Sequence, residues 1–139
     1  MDNLESVSEK LKSAKLKVTP QRIAIYKLLL ETRCHPTAEI IYNSLKEQYP
    51  TMSIATVYKN LITLKKSNLI QELNLRDASL HYDANVNFHS HLICTCCSSV
   101  YDYDLPIISD VYAKIKADTD FDTENTQLYF YGKCKNCKN

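Results

Sequence analysis

The sequence predicts an α+β fold, in which an N-terminal winged helix-turn-helix domain precedes a small C-terminal α/β domain with a four-cysteine zinc site. Three observations support this prediction. In the first part of the chain, apolar residues recur at helical spacing and suitable capping residues precede them. Two β-prone runs follow, and two Cys-x-x-Cys pairs occur in the last third. We expect the first domain to span residues 1–84 and the second to span residues 85–139.

Composition narrows the class of protein. The chain has 139 residues, 45% of them apolar, with one glycine and four prolines, which is typical of a folded soluble protein. No apolar run reaches the roughly 20 residues of a membrane span, and the first five residues lack the basic flank of a signal peptide. We therefore expect a cytoplasmic protein without a membrane partner.

Charge is distributed unevenly along the chain. Residues 1–80 contain 12 Lys and Arg against 8 Asp and Glu, whereas residues 81–139 contain 5 against 8. A basic first part beside an acidic, cysteine-bearing second part favours a polyanion as the partner of the first and cations as ligands of the second. Two ordinarily solvated surfaces would explain the charges equally well.

Four helices are predicted in the first domain. Thr19, Thr37 and Ser53 are suitable N-cap residues for the second, third and fourth of them, and Pro20 suits a first helical position. The helices are expected over residues 4–14, 20–33, 38–48 and 54–66. Their inward faces are expected to carry Leu4, Val7, Leu11 and Ala14; Ile23, Ala24, Tyr26, Leu28 and Leu30; Ile40, Ile41 and Leu45; and Ala55, Val57, Leu61 and Leu64.

A hairpin is predicted after the fourth helix, where residues 69–75 and 79–83 flank Arg76-Asp77-Ala78. In a winged helix-turn-helix the second helix of the pair enters the major groove of double-stranded DNA, so the fourth helix is the candidate reader. Its outer-face residues can supply a thymine-methyl contact, a hydrogen bond, a phosphate contact and a bidentate adenine contact. In that order they are Thr56, Tyr58, Lys59 and Asn60. The residues expected to contact the DNA backbone are Lys15, Lys17, Arg22 and Arg76. A polar helix face that is merely solvated is the alternative interpretation.

The second domain is predicted to contain strands over residues 88–94, 100–104 and 126–131 and a helix over residues 106–117. Ile107, Ile108, Val111 and Ile115 are expected on one side of that helix. The short strands and the single helix indicate a small α+β domain.

The two Cys-x-x-Cys pairs are Cys94 with Cys97 and Cys134 with Cys137, separated by 36 residues. Thiolates at this spacing close one tetrahedral zinc ion and leave no open coordination position, which predicts a structural role. Disulfides are the alternative, but they require an oxidising compartment, and the sequence shows no export signal. The remaining thiols, Cys34 and Cys96, are packed side chains, reactive thiols or accessory ligands, of which a packed side chain is the most common.

A second metal site is predicted from nitrogen and oxygen donors. His89 and His91 are two residues apart, so on a strand both imidazoles leave the same face. Asp83 precedes them, Asp102 lies on the next predicted strand, and His35 lies in the first domain. Such a set suits Fe²⁺, Mn²⁺ or Zn²⁺. Each residue alone is typical of a solvated or packed side chain, but if His35 joins the others, the ion would bridge the two domains and could set the angle between them.

Four motifs resemble the ferric uptake regulator (Fur) family: Leu16-Lys17-Val18-Thr19-Pro20-Gln21-Arg22, His35-Pro36-Thr37-Ala38, Ser53-Ile54-Ala55-Thr56-Val57-Tyr58-Lys59-Asn60-Leu61, and His89-x-His91-x-x-Cys94-x-x-Cys97. The resemblance covers nearly the whole chain. It implies a metal-dependent repressor that binds operator DNA as a homodimer joined through its C-terminal domains. It also implies a structural Zn²⁺ on Cys94, Cys97, Cys134 and Cys137 and a regulatory Fe²⁺ or Mn²⁺ on His35, Asp83, His89, His91 and Asp102.

Within this family the chain most resembles the peroxide-sensing branch. Asp83 and Asp102 stand where iron sensors tend to carry glutamates, and residues 120–126 contain no histidine for a further metal site. The resemblance implies that bound Fe²⁺ reacts with hydrogen peroxide and oxidises His35 or His89, that Mn²⁺ binds without this reaction, and that loss of a ligand releases the DNA. Cys96 and Ser98-Ser99 depart from the family pattern, which leaves thiol sensitivity open.

Two other functions compete with peroxide sensing. The first is an iron, manganese or zinc uptake regulator of the same family that responds to metal occupancy alone. The second is a hydrolase in which the histidine and aspartate ligands hold a water-activating ion. Five protein ligands would nearly fill such an ion, so we expect the chain not to be an enzyme.

Overall fold

The computed structural model describes residues 4–75 and 78–138. The chain divides into two compact units, Met1–Val86 and Asn87–Asn139. The division falls two residues after the boundary expected from the sequence. Of the three residues expected at the tip of the wing, Arg76 and Asp77 lie outside the described residues.

The first unit is a winged helix-turn-helix. Helices α3 and α4 pack on each other and on α2, and strands β1 and β2 form an antiparallel hairpin in which Leu73 lies opposite His81. The elements of this unit are α1 (Leu4–Ser13), α2 (Pro20–Glu31), α3 (Ala38–Leu45), α4 (Ile54–Lys66), β1 (Gln71–Asn74) and β2 (Leu80–Asp83). The fold class expected for this part of the chain is confirmed.

Thr19, Thr37 and Ser53 cap their helices as expected. Each side-chain oxygen accepts a hydrogen bond from the backbone N–H three residues later, at 3.2, 3.3 and 3.1 Å respectively. The helix ends were less predictable. Helices α2 and α3 end two and three residues earlier than expected, with Thr32 and Lys46 as their C-cap residues.

The core of the first unit includes the fully buried side chains of Leu11, Ile25, Ile41, Leu61 and Leu64. Several inward faces differ from the prediction. In α2 the buried residues are Ile25, Tyr26 and Leu29. This helix contacts α1, α3 and α4, and all but one of its residues from Ile23 to Leu30 are apolar, so periodicity alone cannot select a face. Leu4, Ile40 and Ala55 are exposed instead of buried, and Asn60 is buried instead of exposed.

The second unit contains a three-stranded sheet in the order β4-β3-β5. Strand β3 pairs with β4 in antiparallel and with β5 in parallel orientation, so that His91 lies opposite both Asp102 and Tyr129. The central position of β3 explains why all but one of its residues are buried. The elements of this unit are β3 (Ser90–Cys94), β4 (Val100–Tyr103), α5 (Ile108–Thr119) and β5 (Tyr129–Gly132).

Helix α5 has no buried residue. Ile107 and Val111, two of the four apolar residues expected on one side of it, are 56% and 42% exposed. The reason is that the described part of the unit supplies no layer to cover this side. Across the described ranges, no helix is long and apolar enough to cross a membrane.

Candidate metal centres and nucleic-acid interface

The two Cys-x-x-Cys pairs meet at one end of the second unit. Strands β3 and β5 run parallel as neighbours, so their C-terminal ends lie side by side, and each end leads into one pair. The four sulfur atoms lie within 4.8 Å of one another, and Cys97 Sγ is 3.9 Å from Cys134 Sγ. A zinc tetrahedron with Zn–S bonds of about 2.3 Å has sulfur atoms about 3.8 Å apart, whereas a disulfide bond is about 2.05 Å long. The donor set therefore fits a structural zinc ion.

Backbone hydrogen bonds prepare this cluster for a cation. N–H groups of Cys134 and Cys97 lower the pKa of Cys94 from 9.0 to about 6, and the Cys134 N–H lies 3.4 Å from Cys94 Sγ. Conversely, hydrogen bonding with the Cys134 and Cys97 thiols raises the pKa of Cys137. Thiolates so close together repel one another, and a divalent cation removes that repulsion. The other two cysteines, Cys34 and Cys96, are exposed and do not belong to the four-sulfur cluster.

In the first unit, His35 and Asp83 form a buried pair. His35 Nε2 lies 3.6 Å from Asp83 Oδ2, with the imidazole 3% and the carboxylate 11% exposed. His35 has a left-handed backbone with φ of 51°, which costs a non-glycine residue about 1–3 kcal/mol. Its carbonyl oxygen lies 2.6 Å from His81 Nδ1, so His81 supports the backbone of His35 and is itself outside the pair.

In the second unit, His89, His91 and Asp102 form a trio. The Nε2 atoms of both histidines lie 3.6 Å from Asp102 Oδ1, and the two rings are 4.5 Å apart between centroids. Both imidazoles are buried, whereas the Asp102 side chain is 37% exposed. Two imidazoles and a carboxylate suit a divalent cation such as Fe²⁺ or Mn²⁺.

Backbone carbonyls fix the orientation of two of these histidines. His35 Nδ1 lies 3.0 Å from Arg33 O, and His89 Nδ1 lies 2.8 Å from Asn87 O. A carbonyl oxygen only accepts, so Nδ1 donates in each case and Nε2 carries the lone pair of the neutral ring. Histidine ligands of metal ions commonly make this carbonyl contact. Neither Arg33 nor Asn87 was foreseen, because backbone carbonyls leave no signature in a sequence.

On α4, the residues expected to read DNA have different environments. Lys59 is exposed, and Tyr58 is 40% exposed with its hydroxyl donating to Glu39 Oε1 at 2.7 Å. Thr56 is partly exposed, and its hydroxyl lies 3.1 Å from the hydroxyl of Ser53. Glu39 was missed as a member of this surface because it lies 19 residues from Tyr58 in the sequence.

Asn60 does not have the orientation expected of a residue that reads adenine. Its side chain is 7% exposed, Oδ1 accepts from Arg22 Nε at 2.9 Å, and Nδ2 donates to Thr56 O at 2.9 Å. Arg22 Nη1 also donates to Lys17 O at 2.9 Å. The expected position on the outer face is therefore wrong, and Asn60 joins α4 to α2 and to the segment before α2.

Replacing Asn60 should destabilise the first unit. Asn60→Ala removes both hydrogen bonds of a buried amide, so the free energy of unfolding should fall by about 1–3 kcal/mol, as measured by urea denaturation with far-ultraviolet circular dichroism. Thr63→Ala is the control, since the Thr63 hydroxyl donates to the Lys59 carbonyl of the same helix. A control variant that loses as much stability as Asn60→Ala would contradict the structural role of Asn60.

Comparisons with known proteins agree with these features. Residues 13–131 match the model of the ferric uptake regulator family. The chain is 37% identical over 135 residues to the peroxide-responsive repressor PerR of Staphylococcus epidermidis, covering 97% of this chain and 90% of that protein. A PerR of Staphylococcus aureus is 36% identical over the same length.

Solved structures of similar shape include both iron and peroxide regulators. The ferric uptake regulator Fur of Helicobacter pylori superposes with a TM-score of 0.79 at 25% identity, covering 98% of this chain and 94% of that one. The peroxide stress regulator of Campylobacter jejuni superposes with a TM-score of 0.73 at 28% identity, covering 99% of this chain and all of that one. The family consists of transcription regulators, so the expectation that the chain is not an enzyme is confirmed. The family model and the PerR relatives together show that the chain is a member of the ferric uptake regulator family.

Proposed function

We propose that the chain is a cytoplasmic, homodimeric repressor that binds double-stranded operator DNA when a regulatory metal ion is bound and senses hydrogen peroxide by oxidation of a ligand histidine. The observation that carries the proposal is the arrangement of His35 and His89, whose Nδ1 atoms donate to backbone carbonyls while their Nε2 atoms face carboxylates. The similarity to PerR supports the peroxide branch.

The pair and the trio together would hold one Fe²⁺ or Mn²⁺ ion. A pair supplies two ligands and a trio three, and neither alone fills the coordination sphere of such an ion. Asp83 and His89 are six residues apart in the sequence, so the connecting segment keeps the two groups within reach of one another. Under this proposal the ligands are His35, Asp83, His89, His91 and Asp102.

An ion held in this way would couple sensing to DNA binding. Because His35 and Asp83 belong to the DNA-binding unit and the trio to the other unit, binding by all five favours one arrangement of the units over the others. When bound, Fe²⁺ would supply the redox chemistry with hydrogen peroxide, which Mn²⁺ lacks. His35 and His89 are the candidate oxidised residues, and loss of either as a ligand would weaken metal binding and release the operator.

The DNA-binding surface would be formed by α4 and the segment before α2. Lys59 is exposed for a phosphate contact, and Thr56 and Tyr58 lie beside it on α4. Lys17, in the segment before α2, is exposed as well. Asn60 and Arg22 would act chiefly by holding these parts together, since their hydrogen bonds connect α4, α2 and the Lys17 carbonyl.

The homodimer would form through the second unit. Exposed apolar residues on α5 and on the sheet are otherwise left in contact with water, among them Val111, Ile107, Tyr101 and Phe130. Covering them with the same surface of a second copy would form a two-fold interface. The four-cysteine cluster lies at one end of the same sheet, and a zinc ion bound there would stabilise the folded sheet that carries this surface.

A charge on α5 should disrupt this dimer. Val111→Asp places an uncompensated carboxylate in the proposed interface, so the dimer dissociation constant should rise at least about 100-fold. Sedimentation equilibrium of the zinc-loaded protein measures it. Ala113→Asp is the matched control, because Ala113 is also exposed on α5 but lies on its other side. A dimeric Val111→Asp variant would rule out this helix as part of the interface.

Binding of operator DNA in defined metal states tests the proposed function. Operators selected from a random duplex library should bind tightly with Mn²⁺, tightly with Fe²⁺ under anaerobic conditions, and weakly after the Fe²⁺ form is treated with hydrogen peroxide. The Mn²⁺ form should keep its affinity under the same treatment. Release from the peroxide-treated Mn²⁺ form, or persistent binding by the treated Fe²⁺ form, would contradict the proposal.

A metal uptake regulator is the second candidate. It is favoured by the structural similarity to the Helicobacter pylori Fur, which exceeds that to the Campylobacter jejuni peroxide regulator. In this case DNA affinity would follow the occupancy of the site alone, and peroxide would leave His35 and His89 unchanged.

A further inference from the structure

The hydrogen bond between Tyr58 and Glu39 constrains what Tyr58 can recognise. We propose that the Glu39 carboxylate fixes Tyr58 as a hydrogen-bond acceptor, so that Tyr58 reads an exocyclic amine of the operator, adenine N6 or cytosine N4, in the major groove. This inference rests on the proposed repressor function, and it assigns to Glu39 the role of a positioning residue.

The first step concerns the charge of Glu39. Its side chain accepts hydrogen bonds from the Tyr58 hydroxyl, from its own backbone N–H and from the Thr37 hydroxyl, and these bonds lower its pKa. It also lies in the first turn of α3, where a negative charge is favourable. Glu39 is therefore ionised at neutral pH, and an ionised carboxylate can only accept.

The second step concerns the proton of Tyr58. A phenol has one O–H donor and two lone pairs. Because Glu39 Oε1 lies 2.7 Å from the Tyr58 oxygen and cannot donate, the single proton of Tyr58 points at Glu39. The same bond raises the pKa of Tyr58, so the phenol keeps its proton. Towards any other partner, the Tyr58 oxygen offers only lone pairs.

The third step concerns the partner. Phosphate oxygens, guanine O6 and N7, adenine N7 and thymine O4 are all acceptors, and none of them can bond to an oxygen that offers only lone pairs. The Glu39 charge beside Tyr58 also disfavours a phosphate. The donors in the major groove are the amines of adenine and cytosine. Tyr58 is 40% exposed on the helix expected to enter the groove, and its neighbour Lys59 is available for the phosphate.

Operator duplexes with single functional groups removed test the inference. Full-length, zinc-loaded and Mn²⁺-loaded protein is first used to select an operator from random duplexes. Affinities are then measured for duplexes in which one amine is deleted (adenine to purine, cytosine to 2-pyrimidinone), one acceptor is deleted (7-deazaguanine) or one thymine methyl is deleted (uracil). The proteins compared are wild type, Tyr58→Phe, Glu39→Ala and Glu39→Gln.

The wild type should lose affinity about fivefold when one particular amine in each half-site is deleted, and Tyr58→Phe should lose less than about twofold at the same position. Glu39→Gln keeps the shape of the side chain, but its amide can accept through the oxygen or donate through the nitrogen, so its sensitivity to that amine should lie between those of the wild type and Glu39→Ala. Glu39→Ala frees the Tyr58 proton, so sensitivity to that amine should fall and sensitivity to a neighbouring acceptor should appear.

Three outcomes would overturn this inference without affecting the proposed function. In the first, the affinity lost in Tyr58→Phe depends on a base acceptor, or only on a thymine methyl, instead of an amine. In the second, Tyr58→Phe weakens binding to all duplexes equally, and in the third, Glu39→Ala keeps the wild-type pattern of sensitivities. A wild-type protein that selects no sequence with Mn²⁺ would overturn the proposed function, and this inference with it. The Glu39→Gln variant separates loss of the acceptor from loss of the fold.

Discussion

Cys97→Ser should abolish the folded state of the second unit. Structural zinc contributes apparent binding free energies of about 10–16 kcal/mol in zinc-finger peptides, as much as the whole stability of a typical domain. The second unit has few buried side chains, so its sheet depends on the tie between the ends of β3 and β5. The expected results are loss of bound zinc by elemental analysis, loss of the part of the near-ultraviolet dichroism that comes from the tyrosines of the second unit, and a monomeric protein.

Cys96→Ser is the matched control for this substitution. Cys96 lies in the same turn but is exposed and outside the four-sulfur cluster. The control should keep its zinc, its dimer and its tyrosine signal. If Cys96→Ser lost zinc as Cys97→Ser does, or if Cys97→Ser kept it, the assignment of the four ligands would be wrong.

Asp102→Ala should remove metal-dependent DNA binding without unfolding the protein. Asp102 Oδ1 is the oxygen that both His89 Nε2 and His91 Nε2 approach at 3.6 Å. Changes in residues that only support a ligand commonly cost about 10- to 100-fold in metal affinity, so loss of Asp102, which we propose as a direct ligand, should weaken Mn²⁺ binding by about 100-fold or more. Isothermal titration of the zinc-loaded protein with Mn²⁺ measures this loss.

Asp104→Ala is the control for Asp102→Ala. Asp104 carries the same charge two residues later and is exposed. Its Mn²⁺ affinity, its zinc content and its operator binding should all match those of the wild type. Equal losses in both variants would indicate a general effect of negative charge instead of coordination by Asp102.

The N-caps and the two ligand-rich runs could be predicted because they depend on local chemistry. Thr19, Thr37 and Ser53 each need only a backbone N–H three residues away, and a Cys-x-x-Cys pair signals zinc by its own spacing. The hairpin followed from the same kind of signal, since β-prone runs flank its turn.

The remaining features depend on contacts between distant residues. The polar character of Asn60 suggested the outer face of α4, but Arg22, 38 residues away, makes its burial favourable. The Glu39 contact to Tyr58 and the parallel pairing of β3 with β5 likewise require the tertiary fold. The apolar side of α5 was predicted from helical spacing, but its exposure depends on which elements of the unit pack against it.

Mass spectrometry of the two candidate histidines tests the peroxide-sensing proposal most directly. Zinc-loaded protein is loaded with Fe²⁺ or with Mn²⁺, treated with hydrogen peroxide, digested, and analysed for peptides containing His35 or His89. The proposal predicts addition of an oxygen atom to one or both residues in the Fe²⁺ form and to neither in the Mn²⁺ form, with His81 unmodified in both. Unmodified His35 and His89 in the treated Fe²⁺ form would contradict the proposal.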